Sequence, residues 1–138
     1  MNQFLLDTNV CIEILRGNPN IRQQLINVGV NSCSISAITV IELKVGQELA
    51  KSKSARGQYK NQFVDEFIQA INVVPISCAI NYFAKEKVRL QLAGTPANNN
   101  FDLLIGCTSV VCGLTLITDN IKDFKRIKGI DIVNWMER

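Results

Sequence analysis

Gln3-Phe4-Leu5-Leu6-Asp7-Thr8-Asn9 is a short apolar run that stops on an aspartate. Such a run, bounded by a polar turn-former, reads as a buried strand with Asp7 at its carboxyl end. Residues 9–16 then show helical spacing through Val10, Ile14 and Leu15, and Gly17-Asn18-Pro19 stops them. Residues 20–28 form a second short helix. Residues 32–35 give the next strand. Ser36 caps a helix over 37–51, with Ile38, Ile41, Val45 and Leu49 as its apolar stripe. Residues 51–60 read as a basic, solvated turn. A helix over 62–70 carries Phe63 and Phe67 in line with Ile71, and a short strand covers 72–76. The spacing predicts a long helix over 78–93, ended by Gly94-Thr95-Pro96. Asn98-Asn99-Asn100 caps a helix starting near Phe101 and closed by Gly113. Residues 114–118 are a strand of strong β character, 121–127 a helical turn and 130–133 a last strand. Strands alternating with helices predict one domain over 1–138: a three-layer α/β/α sandwich on a central parallel sheet, Rossmann-like in plan. Ligands of such sheets sit beyond the carboxyl ends of the strands.

Composition narrows the chemistry. The chain has 138 residues, 47% hydrophobic and 20% charged, which is ordinary for a soluble globular domain. No apolar run approaches the ~20 residues of a membrane span, and the start lacks the basic and small-residue pattern of a signal peptide. The net charge of +3 permits an anionic partner without announcing one. The five cysteines, Cys11, Cys33, Cys78, Cys107 and Cys112, form no Cys-x-x-Cys pair and lie in apolar stretches. They read as reduced core thiols in a cytoplasmic protein. Histidine is absent. Ser-His and Cys-His catalysis and histidine-ligated metal sites are thereby excluded.

Four acids stand out of place. Most of the twelve fall on polar helical faces, Glu48, Asp65, Glu66, Glu86 and Asp123 among them. Asp7 follows Phe4-Leu5-Leu6, Glu42 sits within Ile38-Thr39-Val40-Ile41-Glu42-Leu43, Asp102 lies between Phe101 and Leu103, and Asp119 follows Leu116-Ile117-Thr118. Burying several carboxylates together requires countercharge, and no histidine or adjacent basic residue supplies it. A divalent cation does. Oxygen-only ligation suits Mg²⁺, with Mn²⁺ as the alternative. Asp7 and Asp119 end strands, Asp102 lies in a first helical turn where anions are favoured, and Glu42 lies in a second turn. All four are expected at one rim of the sheet. Each also has an ordinary reading: Asp7 and Asp102 as parts of helix caps, Glu42 as a helix carboxylate, Asp119-Asn120 as a turn. The set, not any member, carries the case. Lys122-Asp123-Phe124-Lys125-Arg126 reads as a solvated basic turn that could equally guide a phosphate backbone.

At these residues the sequence resembles the PIN-domain ribonucleases, specifically the VapC-type toxins of bacterial toxin–antitoxin pairs. The resemblance runs nearly end to end. It is carried in order by Leu5-Leu6-Asp7-Thr8-Asn9, Ser36 to Leu43 with Gly46, Gly94-Thr95-Pro96, Asp102-Leu103-Leu104-Ile105-Gly106, Leu116-Ile117-Thr118-Asp119-Asn120, Asp123-Phe124, Ile127, Gly129-Ile130 and Trp135. It implies a PIN-like fold and an endoribonuclease that hydrolyses RNA phosphodiester bonds with one or two Mg²⁺ ions, leaving 5′-phosphate and 3′-hydroxyl ends. Asp7, Glu42 and Asp102 occupy its three metal-site positions, and the fourth falls on Asp119 or Asn120. Thr8, Asn9 and Thr118 would support these ligands. The segment Asn98-Asn99-Asn100-Phe101 departs from the glycine that related sequences often carry there. The resemblance also implies an RNA substrate (a tRNA or another structured RNA), a cognate antitoxin protein and a homodimer. Three rival readings are an aspartyl-phosphate phosphatase, which wants a second aspartate where this chain has Asn9, a non-catalytic RNA-binding or scaffold domain, and a response-regulator-like receiver, whose early paired acids the chain lacks.

Overall fold

The computed structural model describes residues 3–53 and 61–136. Five short strands form one all-parallel sheet: β1 (Phe4–Leu6), β2 (Cys33–Ser36), β3 (Asn72–Val74), β4 (Thr115–Ile117) and β5 (Ile132–Val133). Their spatial order is β3-β2-β1-β4-β5. Helices α1 (Thr8–Arg16) and α2 (Pro19–Val28) link β1 to β2, and α3 (Ala37–Lys53) and α4 (Asn61–Ala70) link β2 to β3. Helices α5 (Ile80–Leu92) and α6 (Asn100–Val111) carry the chain back across to β4, and the single turn α7 (Ile121–Phe124) precedes β5. The chain therefore builds outward from β1 on one side, then on the other. The reversal lies between β1 and β4, where Leu5 pairs with Leu116 and Leu6 with Ile117. A parallel sheet opens its ligand crevice at such a reversal.

Strand alternation divides the core in two. Leu6 and Ile117 point to one face and pack with Val10, Ile14, Ile21, Ile35, Leu43, Val64 and Trp135. Leu5 and Leu116 point to the other, among Ile38, Leu90, Leu103, Ile105, Phe124 and Ile127. Both faces are covered, giving the expected three layers. The Gly17 stop and the Ser36 cap match the sequence, and Asn18 is a further cap. Gly17 ends α1 in the left-handed region at φ 87°, and the Asn18 side chain accepts from the Asn20 and Ile21 amides to start α2. The Ser36 hydroxyl accepts from the Ile38 amide at 3.0 Å. Gly106 lets α6 lie against α7, because a Cβ there would overlap the Ile127 side chain and crowd Phe124 Cδ1 at 3.2 Å.

Several expectations need correction. The α3 stripe is not core: Ile38 is buried, but Ile41, Val45 and Leu49 are 42%, 54% and 50% exposed. The residues that α3 buries after Ile38 are Thr39, Leu43 and Gln47. Periodicity detects an apolar face without saying what it meets. Glu86 is not on a polar face; it is buried, takes two hydrogen bonds from the Arg89 guanidinium at 2.7 and 2.8 Å, and accepts from the Lys128 amide. The Arg89 contact is the main reason its carboxyl sits below the usual range. Cys11, Cys33 and Cys107 are buried as expected, but Cys78 and Cys112 are exposed. The third strand stops at Val74 because Pro75 cannot donate to the ladder, and a 3₁₀ turn (Ile76–Ala79) precedes α5. Of the expected basic turn over 51–60, residues 51–53 continue α3, and 54–60 lie outside the described residues.

Candidate active site

Asp7 leaves β1 at the reversal point and caps α1. Its backbone is extended (φ −66°, ψ 157°), and its Oδ1 accepts from the Thr8 amide at 2.8 Å. Its Oδ2 accepts from the Thr118 hydroxyl at 2.8 Å, just past the end of the neighbouring strand β4. Asp7 is only 4% exposed. Burial pushes its carboxyl up to about 6; the Thr118 and Thr8 hydrogen bonds oppose the rise, and the charges of Asp102 and Glu42 add to it. Two good hydrogen bonds are thus too little for this carboxylate. It stands in a field that is negative on balance.

Glu42 reaches the same place from α3. The Thr8 hydroxyl donates to Glu42 Oε1 at 2.6 Å and lies 3.0 Å from the Thr39 hydroxyl. Thr8 therefore ties the two acids together: its amide holds Asp7 and its hydroxyl holds Glu42. Asp102 lies in the first turn of α6, which Asn99 caps by accepting from the Phe101 and Asp102 amides. Burial raises the Asp102 carboxyl, followed by the charges of Glu42 and then Asp123. Among the described residues none of these acids forms an ion pair with lysine or arginine.

The structure brings Asp7, Glu42 and Asp102 into mutual electrostatic reach, with Thr8 and Thr118 as supports. It does not bring in Asp119, which is exposed and is not among the groups acting on Asp7 or Asp102. Asn9 is also exposed, because it faces outward on the first turn of α1. Asn120 is half-buried, and its side-chain amide donates to Asp123 Oδ2 at 2.8 Å while its backbone amide donates to the Thr118 hydroxyl. Asp123, placed on a polar helical face by its sequence setting, instead stands close enough to Asp102 to act on its charge. It lies in a cleft with Asn98, Asn99, Asp102 and Arg126, and the neighbouring Phe124 is fully buried. The segment is thus no plain solvated turn. Buried Phe124, one residue on, fixes α7 against α6, a tertiary contact that the charged neighbours of Asp123 do not announce.

Among the described residues no three of these side chains already form a closed metal-binding group. Their donors are now the Thr8 and Thr118 hydroxyls and the Thr8 amide. The donor set nevertheless fits a hard divalent cation: its ligating atoms are carboxylate oxygens, and neighbouring acids raise the proton affinity of Asp7 and Asp102. A cation would offset the negative charge that Asp102 and Glu42 place on Asp7.

Comparison with known proteins places this geometry. A tRNA(fMet)-specific endonuclease VapC of Salmonella typhimurium is 31% identical over 98% of this chain and 99% of its own length. Ribonuclease VapC2 of Rickettsia felis is 30% identical over 96% and 97%. The solved structure of DNA-bound VapBC from Salmonella typhimurium superposes with a TM-score of 0.83 at 31% identity, covering 98% of this chain and 99% of the matched one. The PIN domain family model matches residues 4–130, nearly the whole of the chain and every acid named above, and the chain belongs to the PIN domain family.

Proposed function

We propose that this protein is a metal-dependent endoribonuclease, the toxin of a type II toxin–antitoxin pair, that hydrolyses RNA phosphodiester bonds. The observation that carries the proposal is Asp7: a carboxylate buried at the strand reversal, acted on by Asp102 and Glu42, with no basic partner among the described residues. Relatives named as VapC ribonucleases match over nearly their full length and support the same reading.

Asp7, Glu42 and Asp102 would hold Mg²⁺, with Mn²⁺ as a substitute, and Asp123, beside Asp102 in its cleft, would be the fourth acid in place of Asp119. When bound, the ion supplies Lewis-acid charge that acidifies water and neutralises charge growing on the phosphate. The chain supplies orientation. Thr118 fixes one oxygen of Asp7, the Thr8 amide fixes the other, and the Thr8 hydroxyl aims Glu42. These contacts leave lone pairs on every carboxylate oxygen. Asn120 orients Asp123 in the same way. Arg126 lines the cleft beside Asp102 and Asp123, where a guanidinium can meet the phosphate backbone of an RNA strand.

The partners follow from the same reading: an antitoxin protein and a second copy of the chain, acting in the cytoplasm. The exposed apolar stripe of α3 is consistent with an interface. Among the described residues no helix is long and apolar enough to cross a membrane.

Asp7→Asn tests the proposal, because it keeps the shape and removes the charge. RNA cleavage in Mg²⁺ should fall by roughly 100-fold or more while the protein stays folded, in line with the loss of a metal ligand. EDTA should abolish cleavage by the parent, and Mn²⁺ should restore it. Undiminished cleavage by the folded variant would overturn the assignment.

A further inference from the structure

Two of the five cysteines do not behave as core thiols. Cys78 lies in the 3₁₀ turn after β3, and Cys112 caps the carboxyl end of α6. Both are exposed, and their sulfurs stand 3.8 Å apart across a sequence gap of 34 residues. Cys78 Sγ also donates to the Pro75 carbonyl at 3.2 Å, which fixes the thiol on the side facing Cys112. Buried Ala79, next to Cys78, packs in the same core cluster as Leu103 and Cys107 of α6, so the two backbones are held in register. The sulfurs need to approach by rather less than 2 Å to reach bonding distance, a movement within the range of side-chain torsions.

We propose that Cys78 and Cys112 form a reversible dithiol–disulfide site that is oxidised by low-molecular-weight disulfides of the glutathione type. In the first step the Cys78 thiolate attacks a sulfur of the oxidant. An S–S bond forms to Cys78, the oxidant's S–S bond breaks, and one small thiolate leaves and takes up a proton. In the second step the Cys112 thiolate attacks the Cys78 sulfur. The protein disulfide forms, and a second small thiol departs with the other proton. Two electrons pass from the protein to the oxidant, which is reduced to two thiols.

The order of attack follows from surroundings. Burial, and then the hydrogen bond and charge of Cys78, push the Cys112 thiol up to about 11. Once Cys78 is capped as a mixed disulfide its negative charge cannot form. Cys112 is then easier to ionise and stands beside the sulfur it must attack. The finished bond closes a loop holding all of α5, the segment before α6, and α6 itself with Asp102. Oxidation should therefore suppress opening of the helix pair that carries one side of the site.

The test uses the full chain, incubated with oxidised glutathione or with a dithiol reductant, alkylated, and mapped by non-reducing peptide mass spectrometry. The expected product is a Cys78–Cys112 linked peptide with Cys11, Cys33 and Cys107 alkylated after unfolding. Its melting point should rise by roughly 5–10 °C over the reduced form, reversibly with reductant. Amide exchange in α5 and α6 should slow. Cys112→Ser should instead retain a glutathione adduct on Cys78, with no rise in melting point. Stable adducts on both cysteines of the parent, linkage between chains, or a different intramolecular pair would each overturn the proposal. So would an unchanged melting point in either direction of oxidation.

Discussion

Replacing Asp7 by asparagine should make the metal-free protein more stable at neutral pH, and the gain should reverse in acid. A carboxyl held at about 6 in the fold, against an ordinary 3.8, burdens its ionised form by roughly 3 kcal/mol. The sign follows from proton counting. Below about 3.8 the group is protonated in both states and contributes no penalty. Between about 3.8 and 6 the unfolded chain has released the proton and the native state still holds it, so stability falls as pH rises. Above about 6 the full penalty is present. Asparagine is neutral throughout. It keeps an acceptor for the Thr8 amide but loses one for the Thr118 hydroxyl, at a cost of about 1 kcal/mol. At pH 7.5 the variant should therefore lead by roughly 2 kcal/mol, or about 6 °C in melting point. At pH 4 it should trail slightly. Urea titrations in EDTA, followed by the fluorescence of buried Trp135, measure both. Mg²⁺ should reverse the order at neutral pH, because a ligand at about one hundred times its Kd stabilises only the parent, by roughly 2.7 kcal/mol. A variant that is less stable at pH 7.5, or a difference that does not change with pH, would refute the electrostatic account of the site.

The remaining expectations concern the other acids, the proton and the packing. Asp102→Asn and Asp123→Asn should each lower RNA cleavage by about tenfold to a hundredfold, whereas Asp119→Asn should stay within about twofold; initial rates on one RNA substrate compare the three. Mg²⁺ must displace the proton that Asp7 holds up to about 6, so its apparent affinity should weaken about tenfold for each pH unit below that point, as calorimetric titration at pH 5 and pH 7 will show. Gly106→Ala forces a methyl into the Ile127 and Phe124 side chains and should cost roughly 1–3 kcal/mol in urea unfolding.

What the sequence disclosed about this molecule was mostly local. Short apolar strands, the Gly17 stop, and the Ser36 and Asn99 caps are written within four or five residues, and the structure realises each. Asp7, Glu42 and Asp102 were legible because an acid inside an apolar run violates the pattern around it. Asp123 was not, since its neighbours Lys122, Lys125 and Arg126 give it an ordinary charged setting. Its coupling to Asp102 comes from the packing of α7 on α6, a tertiary contact with no local signature. Glu86 escaped for the same reason: its amide donor, Lys128, is 42 residues away. Asp119 differs in the opposite sense. It follows a strand as Asp7 does, but the chain turns and leaves it in solvent, while Thr118, one residue earlier, faces the site. The stripe on α3 shows the limit of periodicity itself, because the same spacing serves a core face and an exposed one.

Under the proposed function the capping and metal-site roles of Asp7 are compatible. A helix N-cap must sit where free amides gather, and those amides attract a carboxylate. In an ordinary cap the exchange ends there, with the acid in solvent and ionised without penalty. At Asp7 the cap lies at the reversal of a parallel sheet, so the carboxylate is buried at the moment it is captured. The Thr8 amide and Thr118 hydroxyl place it to within a hydrogen-bond length, yet its carboxyl remains pushed up to about 6. The fold therefore fixes the position of a charge that it does not fully neutralise. The shortfall, deepened by the charges of Asp102 and Glu42, comes from the burial imposed where the backbone starts the first helix.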